Sequence, residues 1–283
     1  MKNIVIAIDA TEHSLNPLAL GKRLGDTIRA PLVVVHTFDD GSSGSREEAE
    51  RACRELMRTA AVEGDLQLLP GGKSAKELHR LSEDDSTGLL VIGSTTKGRL
   101  GRLFAGGGIG DRLLGGAGSP VAVAPHGYAQ TPSGGLDRIG VAYDGSEDAN
   151  YALDAAQKLA RVSGAKVRLI TVLERVAFGG TTTAGAFGQS SVTQVMRAEL
   201  KGAHDEALAN VPEGVQMEGR FLEGSPGDVL AQESRELDLI TAGSRGFGPA
   251  GAVLMGGTTA FLMRNAECPG LLTPRGTEFD LLD

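Results

Sequence analysis

Residues 137–275 repeat the plan of residues 4–125, and this duplication limits the possible folds of the chain more than any other feature. The first copy opens IVIAIDATEHS (residues 4–14) and the second IGVAYDGSEDA (139–149), which aligns Asp9 with Asp144. The copies close with VIGSTTKGRLGRLFAGGGIGDRLLGGAGSPVAVAP (91–125) and TAGSRGFGPAGAVLMGGTTAFLMRNAECPGLLTP (241–274). Each therefore runs from an apolar strand ending in Asp, through a helical middle, to a second apolar strand and a glycine-rich turn. A period this long exceeds any solenoid repeat and describes two whole domains in tandem. The 283 residues divide into a first domain 1–127, a linker 128–136, a second domain 137–276 and a tail 277–283. The join is flagged by HGYAQTPSGGL (126–136), where Pro, Gly and Ser separate two strand signals. Each domain is long enough to bury its own core.

Within the first copy, residues 4–8, 32–35, 89–92 and 121–124 are short continuous apolar runs, the pattern of strands buried on both faces of a parallel sheet. Helices are expected at 14–30, 46–62 and 74–86, from leucines at helical spacing and from charged amphipathic stretches. The second copy gives strands at 139–143, 167–172, 215–222, 239–242 and 270–273, with helices at 149–163, 191–210, 226–237 and up to Arg264. This order predicts an α/β fold with two tandem doubly wound, mostly parallel five-stranded sheets, helices on both faces, of Rossmann-like type. The copies are offset by 135 residues at Asp9/Asp144 and by 150 at Gly93/Gly243. Most of the extra length falls in FGGTTTAGAFGQSS (178–191), read as a flexible loop beside the second domain's mouth, either a lid or a plain insertion.

The formal net charge of −8 argues against nucleic-acid or anionic-membrane partners, which need clustered Lys and Arg. Two cysteines, Cys53 and Cys268, at unrelated places in the repeat do not form a disulfide framework, and a reducing cytoplasm is the simpler setting. There is no leader pattern at the start and no apolar run of membrane-spanning length, so a cytoplasmic protein is expected.

In an open parallel sheet, ligands sit beyond the carboxyl ends of the strands. Three features converge on that rim. Asp9 and Asp144 end the first strand of each copy, where a carboxylate accepts hydrogen bonds from a sugar hydroxyl or an amine; capping the next helix is the competing role. The glycines after the fourth strand (Gly243, Gly246, Gly248, Gly256 and Gly257) let backbone N–H groups converge on an anion, beside a helix N-terminus. Close packing is the plain alternative for them. Arg245 in the second copy and Lys97 in the first supply phosphate partners. Thr258 and Thr259 add hydroxyl donors at the start of the last helix.

Other motifs fail. Gly72-Lys73-Ser74 ends like a phosphate loop, but position 67 is Gln and no strand leads into it. Gly246-Phe-Gly248-Pro-Ala-Gly251 has the dinucleotide spacing but follows the fourth strand, without the acidic residue some 20 positions on. His13, His36, His79, His126 and His204 make no pair at metal spacing, and no nucleophile–base pair is visible. No catalytic residue and no metal site is expected.

Taken together, these residues resemble a tandem universal stress protein, two such domains in one chain. Nucleotide-binding members of that family carry an Asp after the first strand and a G-x-x-G, nine-residue, G-[S/T] loop, which Gly243-Ser-Arg-Gly246, nine residues and Gly256 match in spacing. The family's Cys-Pro before the last strand is Cys268-Pro269 here and Ser119-Pro120 in the first copy. Gly257 stands where the family has Ser or Thr, with Thr258 and Thr259 following. In the first copy Gly93-Ser-Thr-Thr96 breaks the G-x-x-G, and Asp9-Ala10-Thr11 replaces Asp-Gly-Ser.

The resemblance implies that ATP, with Mg²⁺ optional, binds along Ala142, Asp144, Val172, Ala242, Gly243, Arg245, Gly246, Gly256, Gly257, Thr258 and Thr259. The corresponding first-copy set is Ala7, Asp9, Thr37, Ile92, Gly93, Gly98, Gly107 and Gly108, expected to be the weaker site. It further implies a stress-response sensor or regulator, at most a weak ATPase. The two halves would form an intrachain pseudo-dimer through their last strands, and two chains could pair as a homodimer. The rival readings are an interaction scaffold without nucleotide and a slow ATP-hydrolysing enzyme.

Overall fold

Short runs apolar on both faces are satisfied only between two layers, and they become the central strands. The computed structural model describes residues 2–38, 46–70, 74–94, 117–131, 134–174, 183–244 and 256–282. Its strands are β1 (Asn3–Ile8), β2 (Leu32–Phe38), β3 (Asp65–Pro70), β4 (Thr87–Gly93), β5 (Val121–Ala124), β6 (Arg138–Ala142), β7 (Lys166–Glu174), β8 (Gln216–Gly224), β9 (Leu239–Gly243) and β10 (Gly270–Thr273). The helices are α1 (Leu15–Ile28), α2 (Arg46–Thr59), α3 (Ser74–Ser82), α4 (Glu147–Ser163), α5 (Thr183–Ala209), α6 (Pro226–Glu233) and α7 (Gly257–Asn265). None of the described helices is long and apolar enough to cross a membrane.

The strands lie in the order β3-β2-β1-β4-β5-β10-β9-β6-β7-β8. Neighbours within each half are parallel; among the described strands β5 and β10 alone pair antiparallel, with Gly270 opposite Val123, Leu271 opposite Ala122 and Leu272 opposite Val121. The two five-stranded sheets expected from sequence are thus halves of one ten-stranded sheet. Every residue of β5 and β10 is buried, so their outer N–H and C=O groups need partners, and each strand supplies the other's. Successive residues of β1 alternate between two apolar cores, Ile4, Ile6 and Ile8 on one face and Val5 and Ala7 on the other. The half-exposed β3, for which the sequence offered no clear apolar run, is one edge, and β8 is the other.

Several element ends shift by a few residues from the sequence reading, as at 59 for 62 and 233 for 237, and two differences have a clear local cause. α3 stops at Ser82 rather than 86, because Asp84 Oδ1 accepts from the N–H (2.9 Å) and hydroxyl (2.6 Å) of Ser86 and turns the chain. The segment 178–191 is corrected over 183–191, where α5 is already helical; 178–182 lie outside the described residues. Gly185 and Gly188 each cost a helix about 1 kcal/mol, but extending a helix already packed further on adds one hydrogen bond per residue fixed.

A polar clamp crosses between the halves. Arg23 of α1 donates from Nη2 to Asp238 Oδ1 (2.8 Å) and to the Gly135 carbonyl (2.6 Å), from Nη1 to Tyr128 Oη (3.0 Å), and from Nε to the Gly134 carbonyl (3.0 Å). Asp238 Oδ2 in turn accepts from the backbone N–H groups of Asp137 and Arg138. Burial works against the charge on Arg23, but Tyr128 and Asp238 outweigh it and hold its pKa above the ordinary value. Burial likewise opposes ionisation of Asp238, yet Arg23 and the two N–H groups hold its carboxyl below the usual range. Residues 279–281 are also tied down. Phe279 and Leu281 are buried, Lys158 Nζ donates to the Phe279 carbonyl (3.0 Å), and Asp280 pairs with Lys2 (2.7 Å).

Removing Arg23 strands a partly buried carboxylate and three other acceptors. Arg23→Ala is expected to lower unfolding free energy by about 3 kcal/mol in denaturant titration. Because a depressed carboxyl pKa stabilises above its unfolded value, the wild-type advantage should fade as pH falls through the carboxylate range. A loss under about 1 kcal/mol would show that the clamp is incidental.

Candidate functional site

At the carboxyl end of β6 the chain passes through Ala142, Tyr143, Asp144 and Gly145 into α4. Asp144 Oδ1 accepts from both the N–H (3.0 Å) and the hydroxyl (2.6 Å) of Ser146, and Ser146 Oγ accepts from the Ala149 N–H (3.2 Å) at the start of α4. Ser146 is therefore the cap and Asp144 orients it. Oδ2 of Asp144 has no hydrogen-bond partner among the described residues. Gly145 turns at φ 79°, and a Cβ there would lie 2.8 Å from Ala203 Cβ, so α5 docks directly on the turn. Tyr143 Oη donates to Asn150 Oδ1 (2.9 Å); burial, then the charges of Glu206 and Asp144, push its phenol above the ordinary range.

Two further walls follow from periodicity. On β7, Ile170, Val172 and Glu174 share one face. On α5, Met196, Glu199, Leu200 and Ala203 fall at helical spacing on another. The same helix is anchored to the sheet by the buried His204, whose Nδ1 lies 2.9 Å from Thr171 Oγ1. The last wall comes from β9 and α7. Ala242 and Gly243 end β9, and the Gly256 N–H donates to the Ser244 carbonyl (2.9 Å), so the chain leaves and returns at one point. α7 begins with no side-chain cap, and a Cβ on Gly257 would meet nothing within 4 Å. Its first-turn N–H groups lack helical partners and carry the positive end of the helix dipole.

These elements enclose a cleft of about 600 Å³, within the range of small-molecule sites. Ala142, Asp144, Val172, Ala242, Gly243, Gly256, Gly257, Thr258 and Thr259 all line it. Arg245 and Gly246 lie outside the described residues. Thr259 has a bracing role, because its hydroxyl donates to the Gly243 carbonyl (3.0 Å). Gly243 is also a packing residue, since a Cβ would come within 2.6 Å of the Asp148 backbone in α4. Glu174, Glu199, Met196, Leu200, Pro226 and Leu230 line the cleft without having been expected. The two-residue alternation upward from Ile170 would have found Glu174; the α5 set needed the helix placed against the sheet.

In the first half, Ala7, Thr37, Ile92 and Gly93 lie at or near the carboxyl ends of β1, β2 and β4, and Asp9 follows β1. Asp9 Oδ1 accepts from Thr11 N (3.1 Å), Thr11 Oγ1 (2.6 Å) and Ser14 Oγ (2.8 Å). That one oxygen is saturated by its own turn. Ala10 takes the left-handed φ of 59° that Gly145 takes in the second half, at a cost of roughly 1–2 kcal/mol for a residue with a Cβ. Lys97, Gly98, Gly107 and Gly108 lie outside the described residues. His36 Nδ1 sits 3.0 Å from the Ile8 carbonyl. Among the described residues no three His, Cys, Asp or Glu side chains are placed to hold a metal. Cys53 and Cys268 are buried, and burial pushes the Cys53 thiol up to about 11, far from a reactive thiolate.

Set against known proteins, residues 135–274 match the family described as "Universal stress protein family". The chain is 30% identical over 135 residues to a universal stress protein of Thermus aquaticus, covering 47% of this chain and 94% of that protein. A universal stress protein of Mycobacterium tuberculosis H37Rv is 25% identical over 246 residues, which is 81% of this chain and 80% of the relative. Among solved structures, a universal stress protein from Archaeoglobus fulgidus gives a TM-score of 0.60 at 20% identity, covering 97% of this chain and 96% of its own. That last likeness is one of fold, and it extends over both halves.

The contact of Gly243 with α4 gives a direct test of the packing role. Gly243→Ala must displace helix backbone and is expected to cost about 1–3 kcal/mol of stability by thermal or chemical unfolding. Unchanged stability would mean that α4 yields freely and that the close approach is not required.

Proposed function

Because the chain belongs to the universal stress protein family, we propose that it binds adenine nucleotide, ATP in the first instance, in the cleft of its second half. It acts as a stress-response sensor or regulator in the cytoplasm rather than as a metabolic enzyme. The observation that carries this reading is the convergence of all nine described residues of the expected set on one cleft, at the carboxyl ends of β6, β7 and β9. The uncapped start of α7, with the Gly257 and Thr258 backbone, offers N–H donors and a positive dipole end to the phosphates. The apolar Ile170, Val172 and Leu230 offer a slot for the base, and Asp144 an acceptor for a sugar hydroxyl.

The proposal extends to the chain as a whole. Residues 1–127 and 137–276 form tandem domains of the same type, joined as an intrachain pseudo-dimer across β5 and β10. The first-half site is the weaker, because Gly93-Ser-Thr-Thr96 breaks the glycine spacing and Asp9-Ala10-Thr11 replaces Asp-Gly-Ser; Asp9 Oδ1 also takes three hydrogen bonds where Asp144 Oδ1 takes two. Ligand occupancy would stabilise the folded chain by mass action, which gives a sensor its readout.

Thr258 is exposed at the start of α7, so replacing it tests binding without disturbing the core. Thr258→Glu should leave stability unchanged or slightly raised, since a carboxylate suits a helix N-terminus by about 0.3–1 kcal/mol. It should nevertheless weaken ATP binding about tenfold by calorimetric titration, through repulsion of the phosphates. Gly257→Ser, with open space for its side chain, should tighten ATP roughly tenfold by restoring one hydroxyl donor to a charged group. Wild-type protein that neither carries nor takes up ATP would overturn the reading and favour an interaction scaffold.

A further inference from the structure

The cleft is electrically polarised. Its β9–α7 side presents the first-turn N–H groups of α7 at Gly257 and Thr258, whereas its β6–β7–α5 side presents three carboxylates, Asp144, Glu174 and Glu199. Glu174 is the outermost of the Ile170–Val172–Glu174 face of β7. Glu199 stands about one turn of α5 from Ala203, the residue that touches the Gly145 turn beside Asp144. A ligand with its phosphates on the α7 side therefore lays its sugar toward the acidic side. Carboxylates accept from free hydroxyls and repel phosphate, the rule by which an acidic residue at the ribose separates unphosphorylated from phosphorylated dinucleotides.

We propose that Glu174 and Glu199 are specificity residues, which make the cleft select 5′-phosphorylated adenine nucleotides with free ribose hydroxyls over those phosphorylated on the ribose. This rests on the nucleotide reading above and deepens it. Both side chains are exposed, so each acts through a screened field and the effect is graded with salt.

The test is calorimetric titration of the full chain with AMP and with adenosine 3′,5′-bisphosphate, at low and at physiological ionic strength. The expected result is AMP preferred by about tenfold at low salt, the preference shrinking as salt rises. In Glu174→Gln/Glu199→Gln the ratio should fall to about twofold, with circular dichroism confirming that the variant is folded. Equal affinities in wild type, or an undiminished ratio in the double variant, would overturn the assignment while leaving nucleotide binding intact. If neither compound nor ATP binds the wild type, the nucleotide reading itself fails and the selectivity falls with it.

Discussion

The structure depends on the antiparallel pairing of β5 with β10. Each is a four-residue strand buried at every position, and neither can leave its outer backbone groups unpaired in an apolar layer. Their union turns two parallel half-sheets into one sheet of ten strands and makes one apolar cluster continuous across both halves. Ile4, Val91 and Ala122 of the first half share that cluster with Val141, Leu169 and Leu271 of the second. The Arg23–Asp238 clamp and the burial of Phe279 and Leu281 reinforce the same junction from outside the sheet. The two halves therefore share one sheet and one apolar cluster.

The two halves can also be set against each other. The aspartates Asp9 and Asp144 occupy equivalent places, yet Asp9 Oδ1 takes three hydrogen bonds from its own turn while Asp144 Oδ1 takes two, both from Ser146. Ala10 accepts backbone strain at a position where the second half has Gly145. Thr11 thus repeats the two bonds of Ser146, and the third bond on Asp9 comes from Ser14, where the second half has Ala149. In the second half, the same turn is braced from above by Ala203 of α5, which brings a wall of the cleft with it.

Much of this was legible from residues alone. The apolar runs placed nearly all the strands, because a strand buried on both faces leaves an unbroken signature. The aligned aspartates and glycines marked the rim of the sheet. What escaped was whatever depends on geometry between elements. β3 alternates at an edge and has no such signature, and α5 begins within a Gly/Thr-rich stretch that reads locally as loop. Nothing in the sequence distinguishes Thr258, exposed at the cleft, from Thr259, whose hydroxyl is turned onto the Gly243 carbonyl. Glu174 and Glu199 were passed over for a related reason. Exposed glutamates are common on any surface; the alternation along β7 carries the signal for Glu174, whereas Glu199 becomes a neighbour of the cleft only once α5 is placed against the sheet.

The central claim is that the second-half cleft is the nucleotide site, and amide hydrogen exchange of the full chain with and without saturating ATP tests it most directly. The account predicts slowed exchange at residues 142–146 and 256–260 and along α5 near 196–203, with residues 7–14 unchanged or nearly so. Protection confined to the first half, or no change anywhere under saturating ATP, would contradict it.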